Sequence, residues 1–234
     1  MQLRLLSGGA AQGLVEALAP RFEAETGCSI AGTFGAVGSM RDELLAGAPA
    51  DLVLLTSAII GELVRQGQVL ASSASDIGSV HTAVAVRAGD PVPAIDTPER
   101  LRAALLAAEA IYFPDPQQAT AGIHFAKVLG ELGIAGEVLA AKAGSYPNGA
   151  TAMRALANSH AQRPIGCTQA TEIRNTPGLI LLGPLPAPFE LTTVYTAGVS
   201  ARAVAPRQAE ALSALIRATD TASLRSQSGF ERLP

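Results

Sequence analysis

The chain has 234 residues, of which 48% are hydrophobic and 16% charged, with a net charge of −3. That composition supports a substantial core and excludes an intrinsically disordered chain. The charge is weak and no Lys/Arg cluster forms a basic stripe, so nucleic acid is not an expected partner.

After Met1 and Gln2 the apolar segment LRLLS begins at once, with no basic n-region, apolar h-region or cleavage site. This reading places the chain in the cytoplasm if it is full length, and in the periplasm if a leader has been removed. No apolar run reaches the roughly 18 residues that span a bilayer, so no membrane insertion is expected. Cys28 and Cys167 lack metal spacing, and His81, His124 and His160 are scattered, so neither a metal nor a cofactor is expected.

Strand and helix signals alternate along the chain. Residues 3–7 read as a strand, and the glycine turn Gly8-Gly9 opens a helix over 11–26 that Gly27 ends. SIAGTFG (29–35) is a strand, and Ser39 is read as the N-cap of a short helix to Ala46. ADLVLLT (50–56) is continuously apolar, as in a parallel strand buried on both faces, and a helix follows over 57–66. VHTAVAVRAG (80–89) is a long β-branched stretch.

Then the alternation restarts. Thr97 caps a helix over 98–109, residues 110–115 form a strand and turn, and 120–132 a helix. Asn148 caps a helix over 149–159, residues 164–169 and 179–183 are strands, and 192–200 is a long strand. Pro206 opens a C-terminal helix, followed by a short one. Two βα series joined by two long strands predict two α/β lobes: residues 1–80 with 196–234, and 81–195. One doubly wound sheet is the alternative. In either arrangement a ligand sits at the carboxyl ends of the strands, where helices begin.

The candidate contacts follow from that rule. Ser7, Gly8, Gly9 and Ala10 form the first turn, and Gly38 and Ser39 the second. Thr120, Ala121 and Gly122 open a helix whose first amides lack partners within it. Asn148 and Tyr146 lie in SYPNGAT before another helix, and Gln169 ends a strand. His124, Cys167 and Tyr146 are the groups that could move protons or attack.

AGAPADLVLLT (46–56), with SGGAAQGL near the start, TAGIHFAKVLGELG in the middle and SGF near the end, resembles the molybdate-binding proteins in order and spacing. These belong to the type II periplasmic solute-binding superfamily. The resemblance implies an α/β fold of two lobes, each a mixed sheet flanked by helices, linked by two crossover hinge strands. It implies a small anion held in the cleft by hydroxyls and helix-start amides, without full positive charges. An ABC transporter permease is the implied partner.

Carried over by position, the first-loop serine falls at Ala10 and the second-loop serine near Val37, with Ser39 two residues on. The alanine opening the middle helix falls at Ala121, a backbone contact near Asn148 to Ala150, and the family's tyrosine at Gln169. The backbone features persist while hydroxyls are replaced. The expected ligand is therefore an anion, either an oxyanion or a small organic carboxylate. The alternative is a cytoplasmic enzyme on the same fold, an isomerase or lyase acting on a small carboxylic acid.

Overall fold

The computed structural model describes residues 1–232 and, of Ser145, the backbone. The chain divides into two compact units, Met1–Val80 with Thr193–Pro234, and His81–Thr192. It passes from one to the other at residues 80–81 and 192–193. The second passage lies three residues before the boundary expected after residue 195.

The first unit is built on β1 (Gln2–Gly8), α1 (Gln12–Thr26), β2 (Ser29–Gly35), α2 (Val37–Leu45), β3 (Leu52–Thr56) and α3 (Ser57–Arg65). β4 (Ser75–Arg87) carries the chain into the second unit. The α1 segment buries Leu14, Val15, Leu18 and Phe22, the stripe set by its three- and four-residue spacing. It ends at Gly27, which takes φ 66°, a left-handed cap natural to glycine.

β1 pairs in parallel with both β2 and β3. β3 is buried along its whole length, as its apolar run predicts. Its other neighbour, β9 (Thr192–Val199), is antiparallel, so the sheet is mixed rather than purely parallel. α9 (Pro206–Arg217) and α10 (Ala222–Gln227) complete this unit.

A half-buried ion pair ties β1 to the segment that leads into β3. Asp51 is 1% exposed and accepts from the Arg4 amide at 2.9 Å, the Arg4 guanidinium at 3.2 Å, and the Val204 and Ala205 amides at 2.7 and 3.0 Å. Burial pushes its carboxyl up, but these donors win and hold it down at about 2.

The second unit contains α4 (Pro98–Ala107), β5 (Ile111–Pro114), α5 (Thr120–Glu131), α6 (Ala135–Ala141) and β6 (Ala143–Tyr146). It continues with α7 (Gly149–Ala157), β7 (Ile165–Gln169), α8 (Ala170–Arg174) and β8 (Leu179–Pro184). Its strand order is β4-β7-β5-β6, with β8 also on β4. β5 is parallel to β6 and β7, whereas β4 is antiparallel to β7 and β8.

Strand alternation sorts this unit's core onto two faces. Val84, Val86, Ile165 and Cys167 pack with Phe125, Val128 and Leu129 of α5 and with Leu101 and Leu105 of α4. Ala83 and Ala85 pack on the opposite side with Ala152, Met153 and Leu156 of α7 and Ile173 of α8. Among the described residues no helix is long and apolar enough to cross a membrane.

Candidate functional site

In the first unit the parallel strands β1, β2 and β3 end at Gly8, Gly35 and Thr56. A helix begins within a residue or two of each end: the 3-10 turn Gly9–Ala11 leading into α1, then α2, then α3. The order β2-β1-β3 makes β1 the point where the chain turns first to one side and then to the other, where open α/β sheets receive ligands.

None of these three helix starts is capped by a side chain, and none has an acidic residue in its first turn. Their first amides are left for an outside acceptor. Gly8 is needed here because a Cβ would stand 2.8 Å from Val37 Cγ1 and 3.1 Å from Tyr195 Cε1. Its absence lets the turn pack against α2 and β9.

The candidate side chains of this unit are placed as follows. Ser7 is fully buried and donates its hydroxyl to the Gly8 carbonyl at 3.0 Å, so it is spent within the turn. Ser39 is not the N-cap: α2 begins at Val37 after Ala36, which leaves Ser39 in the first turn of the helix. Gly9, Ala10 and Gly38 are buried at the same edge, and at this edge they supply backbone rather than hydroxyls.

In the second unit β5, β6 and β7 end at Pro114, Tyr146 and Gln169. The three following helices differ sharply. α5 begins at Thr120 after Ala119, with no side-chain cap and no acid in its first turn. Gly122 lets this helix start press on the end of β5, since a Cβ would lie 2.3 Å from the carbonyl oxygens of Pro114 and Asp115.

α7 is closed instead. Asn148 caps it by accepting from the Thr151 amide at 2.9 Å. Glu172, 7% exposed, accepts from the Ala150 amide, the Gln169 amide and the Thr168 hydroxyl. Glu172 stands third in α8 and reaches back to the amide of the N-cap Gln169, the acidic half of a capping box. One carboxyl thus seals the starts of α7 and α8. Burial pushes it above the ordinary carboxylate range despite its donors.

The Ala150 amide is therefore bonded to the chain's own carboxyl, and of the three helices that follow β5, β6 and β7, α5 is the one that starts without such a cap. The sequence reading missed Glu172. Its spacing of three from Gln169 was the available signal, but Gln is a poor N-cap residue and hid it.

The proton-transfer candidates are placed as follows. Cys167 is fully buried in the core, and burial pushes its thiol far up, which disfavours the thiolate that a nucleophile needs. Tyr146 stacks on Tyr112 with centroids 5.7 Å apart, and burial followed by the neighbouring Tyr112 raises its phenol. His124 is half-buried one turn into α5, and its Nε2 lies 2.8 Å from the Phe189 carbonyl oxygen. A carbonyl only accepts, so neutral His124 carries its proton on Nε2 and keeps a lone pair on Nδ1. Gln169 is 3% exposed and closes β7 beside Thr82 of β4.

Among solved structures, the fold is similar to that of the Azotobacter vinelandii periplasmic molybdate-binding protein, with a TM-score of 0.79, 19% identity and 99% of each chain covered. It is also similar to the sulfate-binding protein SubI of Mycobacterium tuberculosis H37Rv, with a TM-score of 0.76 and 18% identity over 100% of this chain and 87% of that one. The expected α/β solute-binding fold therefore holds.

A curated relative, an aconitate isomerase from a Pseudomonas species, is 28% identical over 239 aligned positions, spanning 99% of this chain and 88% of the relative. The profile described as bacterial extracellular solute-binding protein matches residues 3–231. With that match running over nearly its whole length, the chain belongs to the family of bacterial extracellular solute-binding proteins.

Proposed function

We propose that this solute-binding protein takes a small organic carboxylate, and hands it to the permease of an ABC transporter. One observation carries the reading. Of the helix starts that follow the parallel strands, those at Gly9, Val37, Ser57 and Thr120 are uncapped, while those at Gly149 and Ala170 are closed by the side chains of Asn148 and Glu172. Open helix starts present neutral amide donors and a partial positive charge, which favour an anion.

The hydroxyl supply favours a carboxylate over a tetrahedral oxyanion. Ala10 and Val37 carry no hydroxyl, and that of Ser7 is committed to Gly8. A buried tetrahedral oxyanion needs donors for four oxygens, and each unpaired polar atom costs about 1–3 kcal/mol. A carboxylate end needs donors for two.

The test is a thermal-shift series with cis- and trans-aconitate, citrate, succinate and acetate beside molybdate, tungstate and sulfate. A ligand at a hundred times its dissociation constant adds about 2.7 kcal/mol. Stabilisation by a carboxylate alone is the expected result. Stabilisation by molybdate or sulfate alone would sink the carboxylate reading.

The isomerase name of the 28% identical relative favours a second reading, an enzyme that shifts a proton within a small tricarboxylate. His124, with its lone pair on Nδ1, is the group for that role. Incubation with cis-aconitate, followed by proton NMR, separates the two: conversion to the trans isomer supports the enzyme, and an unchanged spectrum supports the carrier.

A further inference from the structure

Thr82 lies in β4 directly opposite Gln169 of β7. It is fully buried, and its hydroxyl has no hydrogen-bond partner among the described residues. The backbone around it is fully used: its amide donates to the Leu191 carbonyl at 2.9 Å, and its carbonyl accepts from the Leu185 amide at 3.2 Å. A buried hydroxyl left without a partner is uncommon and costly, so this one calls for an acceptor or donor from outside the chain.

The register says where the hydroxyl sits. Cross-strand partners share a face of a sheet, and successive residues alternate. Val84 and Val86 pack on the face covered by α5, as do their partners Cys167 and Ile165. Thr82 and Gln169 are the next pair on that same face.

Because β4 runs antiparallel to β7, stepping from Val84 to Thr82 leads to the carboxyl end of β7. β7 is parallel to β5, so this is also the end of the sheet at which α5 starts. Thr168 faces the other way, where Glu172 takes its hydroxyl. The two faces are thus divided: the α7 face is closed by an internal carboxyl, and the α5 face has an unspent hydroxyl at the same end of the sheet as an uncapped helix start.

We propose that Thr82 is a ligand-contacting residue, donating its hydroxyl to a carboxylate oxygen held at the first-turn amides of α5. This rests on the carboxylate reading above and names a residue for it. Thr82 with the α5 amides makes a set of neutral donors, suited to a carboxylate that stays ionised.

The experiment compares wild type with Thr82→Val and Thr82→Ser, each by thermal melting without ligand and by calorimetric titration with citrate and trans-aconitate. Valine keeps the shape and removes the hydroxyl. Without ligand, Thr82→Val is expected to melt at or above the wild-type temperature, since an unpaired buried hydroxyl is removed. Its affinity is expected to fall about ten- to a hundredfold, the range for a hydrogen bond to a charged group, with Thr82→Ser close to wild type.

Unchanged affinity in Thr82→Val would overturn the proposal. So would a lower melting temperature without ligand, which would mean the hydroxyl already serves the fold through a buried water. If neither acid binds wild type, the carboxylate reading fails on that result. The unliganded comparison then still decides Thr82: a lower melting temperature in Thr82→Val overturns its role, and an equal or higher one leaves its hydroxyl reserved for a ligand.

Discussion

The α-carbon of Gly149 lies against the carboxyl of Glu172, so closely that a Cβ there would stand 1.9 Å from Oε2 and 2.1 Å from the Thr168 hydroxyl oxygen. The start of α7, the end of β7 and α8 meet at this carboxyl. Gly149→Ala must displace either the helix or the carboxyl, and a buried acceptor would lose its donors. The expected cost is about 2–3 kcal/mol, read as a lower urea midpoint with an unchanged slope. A midpoint equal to wild type would mean that the contact relaxes freely.

The same carboxyl gives a pH signature. Its folded value is raised above the unfolded value of about 4.3, so the folded state prefers it protonated. Its favourable contribution is fully present below the unfolded value and is lost as pH rises through the folded value. Glu172→Gln removes that titration. The stability difference between wild type and the variant should therefore shift against wild type as pH rises from about 4. Melting temperatures of both proteins from pH 4 to 8 check this, and parallel curves would contradict it.

Asp51 acts in the opposite sense. Its carboxyl is held down at about 2 by Arg4 and by the Val204 and Ala205 amides, against burial. Its stabilisation is present above the unfolded value of about 3.9 and is lost as pH falls toward 2. At pH 7 it amounts to about 2.5 kcal/mol. Asp51→Asn should lose about that much at neutral pH and show a flatter acid limb in urea titrations. Asp51→Ala should lose more, because the amides of Arg4, Val204 and Ala205 are left without their acceptor.

Cys167 should be inert in the folded protein. It is fully buried among Val84, Ile165 and Phe125, and burial pushes its thiol up. Iodoacetamide at pH 8 should leave it unmodified in buffer and alkylate it in guanidinium, as mass spectrometry of the peptide spanning it would read. Rapid labelling in buffer would restore it as a reactive group.

The elements that were legible in the sequence are those whose signals are local. Thr97 and Asn148 cap the helices they precede, and Gly27 ends α1 in the left-handed conformation that glycine permits. The α2 start was misplaced because Ser39 resembles a cap, whereas Ala36, the real one, has only a methyl group and no polar atom to announce it. α6 and β6 were missed because AGEVLAAKAGSY is short, rich in alanine and glycine, and α6 buries only Val138.

The candidate site divides in the same way. Its glycine turns and helix starts were visible as sequence. Which helix starts are open was not, since α7 is closed by Glu172 from a later element, and Ser7 turns to its neighbour's carbonyl. The pairing of Thr82 with Gln169 needed the antiparallel register of β4 and β7, which no local pattern encodes.

The loss of a hydroxyl at the first turn can be tested by returning it. Ala10 is 4% exposed, in the uncapped 3-10 turn that opens α1. Resemblance to the molybdate-binding proteins puts a serine there. Ala10→Ser adds one neutral donor without adding charge, which helps a tetrahedral oxyanion more than a carboxylate already served by amides. The ratio of molybdate to citrate affinity should rise about three- to tenfold, the worth of one hydrogen bond. Competition titrations with the two anions measure the ratio. An unchanged ratio would mean that the new hydroxyl bonds a backbone carbonyl, as Ser7 does, and that the specificity of the first unit lies in its amides alone.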